Sequence, residues 1–266
     1  MGTSYASTER DAIRSGTSAW RQIRILGLPV HDVTLPEAVE RIRAWCAEPA
    51  PLRQVVTLNP EMAMAARRDP GFRAVIERAA LVTPDGVGMT LAARLQGTPL
   101  RARVTGVDLV EALAFAGCRL FFLGAAPGVA ERAARALAER FGARIVGTWA
   151  GSPRTEDATA ALERIAATRP EVLCVAYGAP AQEHWIARYR EELTRCGVRV
   201  AIGVGGTFDY LAGVVPRPPL LVRRLGLEWL YRLLRQPWRW RRQLALPHFA
   251  ALAVTEAIRA RCSSRP

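Results

Sequence analysis

The period of the apolar positions switches repeatedly along the chain. From Ile23 onward, short runs rich in Val, Ile, Leu and Phe alternate with longer stretches in which apolar residues recur every three or four positions, and Gly, Pro or Asp marks each switch. The short runs predict strands near 24–28, 53–58, 119–124, 143–147, 171–177 and 198–203. The longer stretches predict helices near 36–47, 60–68, 71–79, 86–95, 107–116, 127–140, 155–168 and 180–194. Val172-Leu173-Cys174-Val175-Ala176 and Val198-Arg199-Val200-Ala201-Ile202 lack a consistently polar alternate face, as strands covered by helices on both sides require. The expected fold is therefore α/β and Rossmann-like, a mostly parallel sheet between two helical layers.

At Arg217 the pattern changes. On a helical projection Val222, Leu225, Leu227, Trp229, Leu230, Leu233 and Leu234 fall on one broad arc, with Arg224, Glu228, Tyr231 and Arg235 opposite. Pro237 breaks this helix, and Trp238-Arg239-Trp240-Arg241-Arg242 then sets two indoles among three guanidiniums. Indoles at headgroup level and Arg on lipid phosphate favour an interfacial membrane anchor. A helix packed on the core with a solvated polar face is the simpler alternative, and nucleic-acid binding is disfavoured because no recognised module is present. The expected organisation is a flexible leader over 1–22, an α/β core over 23–216 and a membrane-associating helical appendage over 217–266. The leader has no apolar core for a secretory signal, and the longest nearly unbroken apolar run, Leu244 to Val254, falls well short of the ~20 residues that cross a bilayer. A cytoplasmic protein, peripheral on the inner face of the membrane, is expected.

Charge sharpens this reading. The 266 residues are 50% hydrophobic, which excludes general disorder, and 37 basic against 24 acidic residues give +13. All the basic residues are Arg, so a Walker-type phosphate loop and Schiff-base catalysis, both of which need Lys, are excluded. Coding bias explains Arg in place of Lys; where the Arg residues sit is the informative part. Eleven lie from Arg217 onward against only Glu228 and Glu256. The five cysteines show no C-x-x-C spacing, His31, His184 and His248 are isolated, and no D-x-D occurs, so no metal site is expected. The dinucleotide fingerprint also fails, because the third glycine after Gly203 and Gly205 would fall at Phe208.

Ligands of such folds bind beyond the carboxyl ends of the strands. Four segments there pair backbone freedom with polar side chains: Thr57 to Glu61, Thr83 to Gly88, Tyr177 to Glu183 and Gly203 to Asp209. Gly and Pro punctuate any strand–helix boundary, but Asn59, Asp85, Gln182 and Asp209 would all face one rim. Gly205 and Gly206, with Tyr177 and Gly178, are expected to line a nucleotide pocket; Asp209 either accepts from a ribose or base or caps the next helix.

The ordered motifs TLNPEM, LVTPDGVG, RVTGVDL, FFLGAAPG, YGAPAQEHW, GVGGTFDYLAG and LGLEWLYRLLRQPWR resemble the WecG/TagA/CpsF glycosyltransferases, family 26, from about Ile25 to about Arg242. The resemblance implies an inverting, metal-independent enzyme without cofactor. It would move N-acetylmannosamine, its uronic acid or glucose from a UDP-sugar to an undecaprenyl-diphosphate-linked saccharide in cell-surface polysaccharide assembly. It implies Asp85 as catalytic base, Thr57, Asn59 and Gln182 lining the pocket, and tail Arg residues reaching the site; Gly86, next to Asp85 in its loop, is a further candidate for substrate binding. Arg232 and Arg235, three apart on one helix, are the candidates for stabilising the leaving UDP, with Arg217 and Arg224 as further contacts; Arg223, Arg224 or none remains the alternative. Homo-oligomerisation stays open. A Rossmann-like NAD(P) oxidoreductase and a non-catalytic membrane-surface binding protein are the competing classes.

Overall fold

The computed structural model describes residues 20–219, 221–222, 226–235, 237 and 240–263, with backbone alone at 232, 241, 242, 260, 262 and 263. β1 (Gln22–Ile25) and β2 (Leu28–His31) form an antiparallel hairpin. β3 (Arg53–Leu58), β4 (Leu81–Pro84), β5 (Leu120–Gly124), β6 (Ile145–Trp149), β7 (Val172–Ala176) and β8 (Val200–Gly203) make a six-stranded parallel sheet in the order β4-β3-β8-β7-β5-β6. The α/β, Rossmann-like expectation is met. Two strands escape the sequence pattern: β2 and the edge strand β4, whose four residues run directly into a Pro-Asp-Gly turn.

Between the strands run α1 (Leu35–Ala47), α2 (Pro60–Ala66), α3 (Pro70–Glu77), α4 (Val87–Leu95), α5 (Gly106–Phe115), α6 (Val129–Phe141), α7 (Thr155–Thr168), α8 (Ala181–Arg188), α9 (Arg190–Arg195) and α10 (Thr207–Leu211). Local chemistry sets their starts. Thr34 and Glu37 form a reciprocal capping box on α1, while Asn59 and Asp69 accept from backbone N–H groups at the starts of α2 and α3. The stretch 180–194 is two helices rather than one, broken at Tyr189.

Strand alternation sorts the core onto the two sheet faces. Leu120, Phe122, Cys174 and Ile202 pack with Leu109 and Leu137 on one face, where Phe122 stacks on Phe208 at 4.5 Å. Phe121, Leu123, Leu173 and Val175 pack with Ile165, Trp185 and Leu193 on the other. Each such burial is worth roughly 1.5–3 kcal/mol. With both faces covered, the open carboxyl edge is where a ligand can meet the sheet.

The C-terminal region forms α11 (Glu228–Arg235), α12 (Trp240–Gln243) and α13 (Ala245–Ser263). α13 is an integral part of the body. Phe249 and Ala253 are buried in the cluster that holds Val56, Leu58, Met89 and Ala92, and the Glu256 carboxylate accepts from Leu26 N–H at 2.9 Å and Gln96 Nε2 at 2.5 Å. Small residues on this seam let the helices approach closely.

Candidate active site

A cavity of about 680 Å³ opens at the carboxyl ends of β3, β4, β7 and β8, and residues of α11–α13 close its far side. Each strand end supplies a different group. After β3, Thr57 donates from Oγ1 to the Gly203 carbonyl at 3.2 Å, tying the ends of β3 and β8 together. Asn59 follows, its Oδ1 accepting from Met62 N–H at 2.9 Å as the cap of α2. After β4 comes Asp85, and Gly86 at φ 90° turns the chain into α4, a conformation other residues rarely adopt.

Asp85 is half-buried on the cavity wall. Burial is the main reason its carboxyl is pushed up to about 7, and the nearby carboxylates of Glu228 and Asp108 push the same way. The Gly106 N–H, 3.4 Å from Oδ2, and the Arg103 guanidinium pull against that rise. A carboxyl titrating near neutrality is suited to accept a proton during catalysis.

Beyond β7 and β8, one side chain organises two loops. Gln182 is buried, and its Oε1 accepts from both Gly178 N–H and Gly205 N–H at 3.0 Å. Its Nε2 donates to Glu183 Oε1 at 2.7 Å, which fixes which way the amide faces. Glu183 is fully buried, its Oε2 has no hydrogen-bond partner, and burial pushes its carboxyl up to about 7. A Cβ on Gly203 would collide with both side chains, so glycine is required there for close approach.

Among the described residues, two guanidiniums line the cavity. Arg103 pairs with Glu228 of α11 at 2.7 Å, and Arg217 pairs with Asp108 and, at 2.8 Å, with Glu111, both on α5. The C-terminal region is thereby tied to the sheet body at residues that also act on Asp85.

The cavity brings together Thr57, Asn59, Asp85, Gly86, Gly178, Gln182, Gly205, Gly206 and Arg217. Tyr177 does not line it; its ring packs edge-on against Trp185 at 5.8 Å. Asp209 does not line it either and sits in the first turn of α10, where a carboxylate complements the helix dipole. The exposed Arg235 lies over the Tyr231 ring at 5.4 Å, outside the lining. The Arg232 side chain and Arg224 lie outside the described residues. Arg103, Glu183 and Glu228 are additions that single-residue reading missed. Arg103 lies within the RVTGVDL motif and Glu183 within the YGAPAQEHW motif, but the burial and ion pairing that distinguish them come only with the fold.

A model of the glycosyl transferase WecG/TagA/CpsF family matches residues 23–263. The chain belongs to this family. It is therefore a glycosyltransferase. It is 37% identical over 217 residues to the N-acetylglucosaminyldiphosphoundecaprenol N-acetyl-beta-D-mannosaminyltransferase of Bacillus spizizenii strain W23, covering 80% of this chain and 81% of the relative. The enzyme of the same name from Bacillus subtilis strain 168 is 35% identical over 207 residues, 76% of this chain and 79% of its own. Its namesake from Staphylococcus aureus strain MRSA252 is 31% identical over 241 residues, 89% and 92% of the two chains. Membership in the WecG/TagA/CpsF family turns the cavity, with Asp85 on its wall, into a candidate site for sugar transfer.

Proposed function

We propose that this chain transfers N-acetylmannosamine from its UDP derivative to N-acetylglucosamine carried on undecaprenyl diphosphate, with inversion and without a metal ion. The observation that carries the reading is Asp85, a carboxyl raised to about 7 on the wall of a cavity formed by four strand ends. Its carboxylate removes the proton from the acceptor hydroxyl as that oxygen attacks the anomeric carbon. The bond to UDP breaks on the opposite side, so an α-linked donor yields a β-linked product. The names of the relatives supply the sugar, the acceptor and the β configuration. N-acetylmannosaminuronic acid and glucose are the donors against which this choice is tested.

The nucleotide is placed on the Gly178 and Gly205–Gly206 loops, where the main chain can approach closely. Arg103 and Arg217 supply positive charge for the diphosphate, which would compete with Glu228, Asp108 and Glu111 for them. Residues 23–216 carry the sheet, and the segment from 217 closes the cavity and rests on an anionic membrane surface. Its exposed Leu221, Trp229, Leu234 and Trp240 support that placement. Among the described residues no helix is long and apolar enough to cross a membrane.

Purified protein supplied with N-acetylglucosamine-diphosphoundecaprenol and a panel of UDP-sugars tests the reading. Addition of one N-acetylmannosamine that persists in EDTA is expected. Failure of every UDP-sugar to react overturns the reading, and transfer only in the presence of a divalent ion overturns its metal-free part.

A further inference from the structure

The cavity changes character along its length. Around Asp85 it is polar, with Thr57, Arg103 and Gln182; farther along α4 and α13 it is walled by Leu91, Leu95, Leu246, Ala250 and Val254. The helical spacing explains the second wall. Leu91 and Leu95 are four apart on α4, and Leu246, Ala250 and Val254 are four apart on α13, so each set forms a stripe. The α13 stripe runs about 12 Å.

Between these stripes lies a trough that is both rigid and open. Its floor is fixed because Ala92, Phe249 and Ala253 are buried between the helices and Glu256 holds α13 to Leu26 and Gln96. Its shoulders are exposed: Leu91 by 51%, Leu95 by 41% and Val254 by 45%. Gln243, buried with an unpartnered Oε1, is the polar side chain of the tail wall that precedes the apolar stripe. A cavity with a polar reacting end continuous with a narrow apolar trough fits a ligand of the same construction, a saccharide and diphosphate followed by a hydrocarbon chain.

We infer that the α4–α13 trough binds the first isoprene units of the lipid-linked acceptor and so contributes directly to acceptor recognition, apart from any recruitment to the membrane. This rests on the proposed acceptor class. The site fits one extended chain rather than bilayer hydrocarbon as a whole, because it opens into the reacting cavity and is bounded by two packed helices. Removing the apolar surface from water drives the binding.

The test uses two soluble acceptors, N-acetylglucosamine diphosphate esterified with methyl or with farnesyl, below their aggregation concentrations and without membrane or detergent. Wild-type protein is expected to show at least about ten-fold higher kcat/KM for the farnesyl acceptor, since several apolar groups enter the trough. Leu91→Ser with Val254→Ser should bring that ratio close to one. Ala250→Trp, which fills the trough without making it polar, should do the same, whereas Phe115→Ser, exposed and outside the cavity lining, should keep the wild-type ratio. Transfer to both acceptors with equal efficiency by wild-type protein overturns the inference and leaves the acceptor reading standing. An undiminished ratio in both trough variants also overturns it. Transfer to neither acceptor overturns the acceptor reading itself, and the trough assignment with it.

Discussion

Arg103 and Glu228 meet at 2.7 Å, an ion pair that joins the loop between α4 and α5 to the first turn of α11. Both side chains line the cavity that contains Asp85, so the C-terminal region contributes negative as well as positive charge to the site. Glu228 raises the Asp85 carboxyl, and Arg103 lowers it. Glu228→Gln removes one negative charge and frees the guanidinium, and both effects favour the Asp85 carboxylate. The acidic limb of the kcat/KM profile should therefore move to lower pH in Glu228→Gln and to higher pH in Arg103→Gln. Rates measured from pH 5 to 9 with a soluble acceptor check both directions.

Glu183 gives a stability signature that is separate from catalysis. Its folded-state carboxyl is raised from 4.5 to about 7, so the folded protein holds the proton more tightly than the unfolded chain. The associated stability is complete below about pH 4.5 and is lost as pH rises through about 7, a change on the order of 3 kcal/mol. Glu183→Gln, which can still accept from Gln182, should flatten that part of the stability curve. Denaturant unfolding at pH 5 and pH 8 provides the comparison; an unchanged pH dependence contradicts the assignment.

Gln182 should matter more to the donor than to the acceptor, because it ties the Gly178 and Gly205 loops. Gln182→Leu leaves two backbone N–H groups unpaired and should cost about 1–3 kcal/mol of stability. If these loops hold the nucleotide, KM for the UDP-sugar should rise about ten-fold or more. An unchanged donor KM would remove them from the nucleotide pocket.

The exposed face of α11 leads to a test of membrane association that leaves the fold intact. Truncation at Arg217 would remove Phe249 and Ala253 from the core, so it cannot report on the membrane alone. Arg235→Gln instead removes one exposed charge, with an expected loss of about 1 kcal/mol, or roughly five-fold, in partitioning to anionic vesicles. Leu234→Ser should weaken binding further, since Leu234 is 73% exposed. Co-sedimentation with anionic and neutral vesicles measures both; equal partitioning of both variants and wild type would contradict the anchor.

The central strands were legible because residues such as Leu173, Cys174 and Val175 must be apolar on both faces. β4 was not, since Leu81–Pro84 is short and merges with the turn that carries Asp85. The β1–β2 hairpin was hidden because its two-residue turn sets Leu26 at φ 49° beside Gly27 at φ 75°, and the apolar Leu26 lets the strand pattern read through the glycine. Asp85, Asn59 and Gln182 stood out through the Gly and Pro around them. Arg103 is one Arg among 37, and its place on the cavity wall, paired with Glu228, shows only in the fold. The apolar run of the tail was visible, but its Phe249–Ala253 seam could equally have faced lipid until α2 and α4 were placed against it.

If Asp85 is the base for sugar transfer, wild-type protein and Asp85→Asn must differ in turnover but not in nucleotide binding. Transfer of N-acetylmannosamine from its UDP derivative to N-acetylglucosamine-diphosphoundecaprenol is followed under saturating substrates, alongside thermal stabilisation by UDP. Asp85→Asn should lower kcat about 10²–10⁴-fold with UDP stabilisation retained. An Asp85→Asn protein that turns over at the wild-type rate would contradict the role of Asp85 as base.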